Sequence, residues 1–186
     1  CYGASVSGTA SAWDRACDLY AQLTGTVVDH GKAHSERCGY DRYGKDFRGK
    51  AMLEKWDSEN KINLLGHSFG GATVRLFAHL MAQGSAEEVE ASGEDVSDFF
   101  KGGKGDYIHS IVTLAAPHNG TTAYMVDEND VPKDDNALSN IKTDIQTKLT
   151  SLIRLASGNP EASTKSPEDH ASYDMYIDNA LAMNKE

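Results

Sequence analysis

Ile62-Asn63-Leu64-Leu65-Gly66-His67-Ser68-Phe69-Gly70-Gly71 is the stretch that decides the fold. Ile62–Leu65 is a short apolar run of the kind that forms a buried strand. From Gly70 to Gln83 the apolar residues Val74, Phe77, Ala78 and Met81 recur at helical spacing and share one face. Between the two lies Gly66-His67-Ser68-Phe69-Gly70, a G-x-S-x-G pattern. Alone it is short enough to arise by chance; a strand entering it and an amphipathic helix leaving it make it specific. A turn this tight leaves little space, so Gly66 and Gly70 are expected to let strand and helix approach, with Gly71 adding clearance. Ser68 would then present its hydroxyl at the helix N-terminus, where the Phe69 N–H can donate to an oxyanion. The plainer reading is a Gly-rich turn with a capping serine, and the flanking elements favour a nucleophile over it.

Outward from this unit, Ile108-His109-Ser110-Ile111-Val112-Thr113-Leu114 reads as a second strand, running into Ala115-Ala116-Pro117-His118-Asn119-Gly120-Thr121-Thr122. Strand, helix, strand in that order implies parallel pairing through a crossover, hence an α/β fold. Upstream, Trp13, Ala16, Cys17, Tyr20 and Leu23 predict a helix, with Ser11 or Ala12 at its start and Gly25 at its stop. Residues 1–6 suit a strand entered part-way, and 49–58 a short helix. Residues 26–48 have no sustained period but keep Val27, Val28, Tyr40, Tyr43 and Phe47, so they read as an ordered surface insertion. Residues 84–106 read as a solvated acidic helix and loop. Beyond Asp127 only modest helical patterns remain, around Ile141 to Ile153 and Tyr173 to Leu181.

Composition narrows the function classes. With 39% hydrophobic and 25% charged residues in 186, the chain has the makings of a folded domain. A net charge of −10 without any extended Lys/Arg run excludes a nucleic-acid binder, which needs a basic face against phosphates. No apolar run approaches the roughly 20 residues that span a bilayer. The start at Cys1 carries no Met and no signal pattern, as if entered mid-protein. Cys1, Cys17 and Cys38 are odd in number with no CxxC spacing, so free thiols are expected.

A serine nucleophile needs a histidine base oriented by a carboxylate, in the chain order Ser, acid, His on this kind of fold. The histidines after Ser68 are His79, on the helix; His109, starting a strand; His118, ending it; and His170, in a polar segment. Each reads as structural or exposed, leaving the triad incomplete.

Several segments carry a resemblance. They are Trp13-Asp14-Arg15-Ala16-Cys17 with Tyr20-Ala21-Gln22-Leu23, Val28-Asp29-His30-Gly31 through His34, and Arg42-Tyr43-Gly44-Lys45. The Gly66–Gly71 turn and Ala116-Pro117-His118-Asn119-Gly120-Thr121-Thr122 follow in order. Over about residues 1–126 the chain resembles the secreted bacterial triacylglycerol lipases, of the staphylococcal and thermophilic Bacillus type. The resemblance implies a partial α/β-hydrolase fold: residues 1–186 as the central part of one lipase domain, 13–48 as a family-type insertion and 127–186 as lid-region helices. It implies carboxylic ester hydrolysis with Ser68 as nucleophile and the Phe69 N–H as half the oxyanion hole. The second oxyanion donor and the triad Asp and His would lie outside this chain, leaving the chain alone inactive. Acylglycerols or other esters at a lipid–water interface are the implied substrates, and the implied location is extracellular. No cofactor is required for the chemistry. The family's structural zinc site would draw on Asp14 and His34, while Tyr40 takes the place of its second histidine and the fourth ligand lies past the end. His30 or Cys38 could substitute chemically; otherwise Asp14 is an acid in a first helical turn and His34 a packed or surface histidine. The family's calcium site also lies beyond this chain. Two other readings stay open, a short-chain carboxylesterase and a non-catalytic hydrolase-like binding protein.

Overall fold

The computed structural model describes residues 1–121, 171–175 and 177–184. The expectation of lid-region helices over 127–186 therefore falls largely outside the described residues, as does His170.

Helix α1 spans Ala12–Thr24. Ser11 caps it by accepting from the Asp14 N–H, and Gly25 ends it in the left-handed region at φ 67°. Strand β1 (Val27–Asp29), helix α2 (Lys32–Cys38) and strand β2 (Tyr43–Asp46) follow, with β1 and β2 antiparallel. Strand β3 (Ile62–His67) then leads through Ser68 into helix α3 (Phe69–Gln83), and helix α4 covers Ala86–Ser92. Strand β4 (Ile108–Leu114) pairs with β3 in parallel, Leu65 beside Val112 and His67 beside Leu114. Helices α5 (Ala171–Asp174) and α6 (Ile177–Met183) close the described part. The crossover of a parallel pair through α3 makes this an α/β arrangement, as its sequence order predicts.

The core forms where α1 and α3 pack together over β3. Ala16, Cys17, Leu19 and Leu23 of α1 meet Val74, Phe77, Leu80 and Met81 of α3 and Leu64 of β3. Phe99 and Phe100, fully buried, fill the middle: Phe99 stacks on Tyr20 at 4.7 Å and Phe100 on Trp13 at 5.4 Å. Burying side chains of this size contributes about 1.5–3 kcal/mol each.

Several local expectations are corrected. Residues 1–6 form no strand; the Ser5 N–H and C=O bond to the Gln22 amide and the Ser7 N–H to Asp18, so α1 side chains satisfy that backbone. Residues 49–58 form bends instead of a helix, because the Met52 and Leu53 N–H groups bond to Gln22 and Leu23 carbonyls at the end of α1. The acidic segment is not wholly solvated. Glu88 is 1% exposed and accepts from the Ala33 and His34 N–H groups at 3.0 and 2.8 Å, neutralising the amides that open α2. Nor is the sheet buried on both faces. Leu64 faces the helices, but Leu65, Val112 and Leu114 are 69%, 52% and 58% exposed on the opposite face. Among the described residues no disulfide joins the three cysteines, and Cys17 and Cys38 are buried.

The glycine roles at the turn also shift. A Cβ on Gly66 would meet the Gly70 carbonyl oxygen at 2.2 Å, and one on Gly71 would meet the Ala116 methyl at 2.3 Å. A Cβ on Gly70 would meet nothing within 4 Å, so Gly71 supplies the clearance expected of Gly70. Gly66→Ala and Gly71→Ala are each expected to cost about 1–3 kcal/mol through overpacking against close neighbours. Gly70→Ala should be neutral or stabilising by up to about 1 kcal/mol, since alanine suits a helix better. Urea unfolding of the three variants checks this; equal losses at all three would contradict it.

Candidate active site

Ser68 sits at the junction of β3 and α3 with φ 53° and ψ −130°, in a region that side-chain-bearing residues rarely occupy. Two backbone bonds hold it there. Its N–H donates to the Leu114 carbonyl at 2.9 Å, tying the turn to the end of β4, and its carbonyl accepts from the Gly71 N–H at 2.9 Å. Its side chain makes no capping bond to α3, and the residue is exposed, so the capping-serine alternative does not describe it. A second non-glycine residue with positive φ, Ala115 at 49°, lies just past the end of β4. Strain at the carboxyl ends of adjacent parallel strands marks the edge where α/β folds bind ligands.

Phe69 occupies the first turn of α3, where the amides have no partner within the helix. Its ring is buried against Ala12, Ala171 and Met175. Its carbonyl accepts from the Thr73 hydroxyl at 3.2 Å, and Thr73 accepts in turn from Arg15 Nε at 3.0 Å. Arg15 belongs to the Asp-Arg-Ala-Cys segment, but nothing in the sequence marks Thr73 as its partner. Among the other histidines, His79 and His109 are exposed, and His118 Nε2 lies 3.1 Å from Thr113 Oγ1 at the end of β4.

Asp14 and His34 do come together. Asp14 Oδ1 lies 3.5 Å from His34 Nε2 and 2.9 Å from His30 Nδ1, and it accepts from the Tyr40 hydroxyl at 2.7 Å. The His30 ring nitrogen lies within reach of that oxygen but is not well aligned on it, and the pair becomes ionic when the imidazole is protonated. Trp13 stacks on His34 at 5.1 Å and donates its indole N–H to the His30 carbonyl at 2.7 Å, fixing the cluster to α1. Burial alone would raise the Asp14 carboxyl, but its His30, His34 and Tyr40 partners hold it well below the usual carboxylate range. Burial would likewise lower His30, and the Asp14 carboxylate more than offsets it, raising the imidazole above its ordinary value.

Asp14 and His34 together supply two of the four ligands that a structural zinc ion prefers. Asp14 Oδ1 also meets Tyr40 and His30, and Tyr40 stands where the resemblance implies a second imidazole. Cys38 Sγ lies 3.8 Å from His34 Nε2, yet among the described residues no three His, Cys, Asp or Glu side chains are arranged to hold a metal. Among those residues, too, no helix is long and apolar enough to cross a membrane.

Residues 1–151 match the family model described as the lipase-like, C-terminal domain. The chain is 44% identical over 125 residues to a lipase of Staphylococcus hyicus, covering 66% of this chain and 19% of that protein. It is 42% identical over 123 residues to lipase 2 of Staphylococcus aureus, covering 64% and 18%. Among solved structures, S. hyicus lipase superposes with a TM-score of 0.75 at 32% identity, over 99% of this chain and 52% of that one. Lipase 1 of Pelosinus fermentans gives 0.75 at 31% over 98% and 53%, and EstA of Clostridium botulinum 0.73 at 30% over 96% and 46%. The chain thus spans about half the length of these solved relatives and about a fifth of the curated ones.

The Asp14 cluster has a pH signature. Asp14, lowered in the fold, contributes stability present above its ordinary 3.8 and lost as pH falls; His30, raised, contributes stability present below 6.5 and lost as pH climbs through its folded value. The stability gap between the native chain and Asp14→Asn is expected to be widest between about pH 4 and 6.5. Urea melts across pH 3–9 check it, and a gap independent of pH would contradict it.

Proposed function

The chain belongs to the family of lipase-like, C-terminal domains, and on that premise we propose that it carries the nucleophile of a serine carboxylic ester hydrolase acting on acylglycerols. The observation that carries this reading is Ser68, held at φ 53° between a parallel strand and a helix. Such a turn lifts the hydroxyl clear of the sheet and sets it beside helix amides and the positive end of the helix dipole.

In the reaction, Ser68 Oγ attacks the ester carbonyl while its proton passes to a histidine base. The carbonyl π pair moves to oxygen, and the Phe69 N–H stabilises the oxyanion. Collapse expels the alcohol, which takes the proton back, and leaves an acyl-serine. Water attacks that ester in the same way and releases the fatty acid. No step draws on a metal.

Ser68 and Phe69 are thus assigned as the site residues, and Asp14 and His34 are assigned to a structural cluster. We read residues 1–186 as the central part of one α/β-hydrolase domain, with 13–48 as its insertion and 127–186 as its lid region. The triad Asp and His and the second oxyanion donor then belong to flanking sequence, in keeping with coverage of about half of each solved relative. The family resemblance leads us to place the protein outside the cell, working at a lipid–water interface.

Turnover of p-nitrophenyl esters tests the reading. The 186-residue chain should be close to inactive, the chain extended by its flanking coding sequence active, and Ser68→Ala in the extended chain reduced by about 10⁴-fold or more. Undiminished activity of Ser68→Ala would refute the assignment, and robust turnover by the short chain would refute the division of the domain.

A further inference from the structure

Phe69 is gripped from a second helix. Arg15, on α1, lays its guanidinium over the Phe69 ring, 5.0 Å from the centroid. The same side chain donates through Nε to Thr73 Oγ1 at 3.0 Å, and the buried Thr73 hydroxyl donates to the Phe69 carbonyl at 3.2 Å. Below the ring lie Ala12, Ala171 and Met175. Ring, carbonyl and helical turn are therefore each fixed, leaving the Phe69 residue little freedom to rotate and fixing the direction of its N–H.

The chemistry of Arg15 suggests more than packing. Its hydrogen bonds go to neutral oxygens: the Thr73 hydroxyl and, through an Nη, the Ser7 and Gly8 carbonyls at 3.2 and 3.3 Å. Partial burial lowers the guanidinium, and the Asp18 carboxylate one turn along α1 offsets part of that cost, while the hydrogen bonds themselves are spent on neutral oxygens around the turn. Thr73 carries a small cost of its own: a threonine within a helix bonding back to the carbonyl four residues earlier is mildly unfavourable for the helix. Both side chains converge on one residue, Phe69.

We infer that Arg15 and Thr73 are positioning residues that hold the Phe69 amide at the place where the oxyanion forms. This rests on the assignment of Ser68 and Phe69 made above. An oxyanion donor works only when preorganised, and displacing it by a fraction of an ångström forfeits much of its effect. Losing the Arg15–Thr73–Phe69 link should therefore slow the chemical step and leave substrate binding nearly unchanged.

The test uses the chain extended by its flanking coding sequence, with kcat expressed per active site titrated by a serine-directed phosphonate, so that only folded enzyme counts. Thr73→Val keeps the shape and removes the hydroxyl, Thr73→Ser keeps the hydroxyl, and Arg15→Lys keeps the charge and removes the Nε–H. Thr73→Val and Arg15→Lys are expected to lower kcat and the phosphonylation rate constant about tenfold, with KM within about twofold, and Thr73→Ser to recover most of the rate. Wild-type kcat per titrated site in both Thr73→Val and Arg15→Lys would overturn the inference, whatever happens to Tm. So would a loss in Thr73→Ser as deep as in Thr73→Val, because the effect would then follow packing and not the hydroxyl. Ser68→Ala, run alongside, separates the two levels. If it is inactive while Thr73→Val and Arg15→Lys are unimpaired, positioning alone fails; if it is fully active, the nucleophile assignment fails.

Discussion

Strand β3 must become helix α3 within one residue, and Ser68 takes up the whole change of direction in a left-handed conformation that costs about 1–3 kcal/mol. That cost is met by its surroundings. The Ser68 N–H is held by the last carbonyl of β4, and its carbonyl by the Gly71 amide. Gly66 admits the Gly70 carbonyl, and Gly71 admits Ala116. The parallel pairing of β3 and β4, the docking of α3 across them and the packing of α1 over α3 all support this one turn. The core residues Phe77, Phe99 and Phe100 give the platform its rigidity.

Around the turn the structure divides into layers of different purpose. The Asp14 cluster, tied through Trp13 to Phe100, fixes the insertion to the start of α1. From the same helix, one residue further on, Arg15 reaches the other way and grips Phe69. Neighbouring residues of the Asp-Arg-Ala-Cys segment thus serve two tasks, one structural and one directed at the turn. On the far face of the sheet, Leu65, Val112 and Leu114 stand open to solvent. Parallel sheets are normally covered on both faces, and relatives about twice as long share this fold.

Much of this was legible in the sequence because periodicity and steric demand leave marks there. The helical spacing from Trp13 to Leu23 and from Val74 to Met81, the apolar runs at 62–65 and 108–114, and the glycines around Ser68 each report a local constraint. The short elements of the insertion did not show. Strand β1 has 3 residues and α2 has 7, too few to establish a period. The burial of Glu88 was hidden for a different reason: its partners are backbone amides of α2, which carry no side-chain signature. Gly70 and Gly71 could not be told apart by pattern, since only the approach of Ala116 from β4 distinguishes them. The Arg15–Thr73 bond joins residues far apart in the chain and needs the packed helices before it exists.

Everything proposed for this turn depends on Ser68 being a reactive nucleophile. Treating the chain extended by its flanking coding sequence with an alkyl p-nitrophenyl phosphonate, then mapping the adduct by peptide mass spectrometry, tests this most directly. Stoichiometric modification is expected in the peptide containing Gly66-His67-Ser68-Phe69-Gly70, on Ser68 itself. An active protein whose adduct lies on another residue would contradict it.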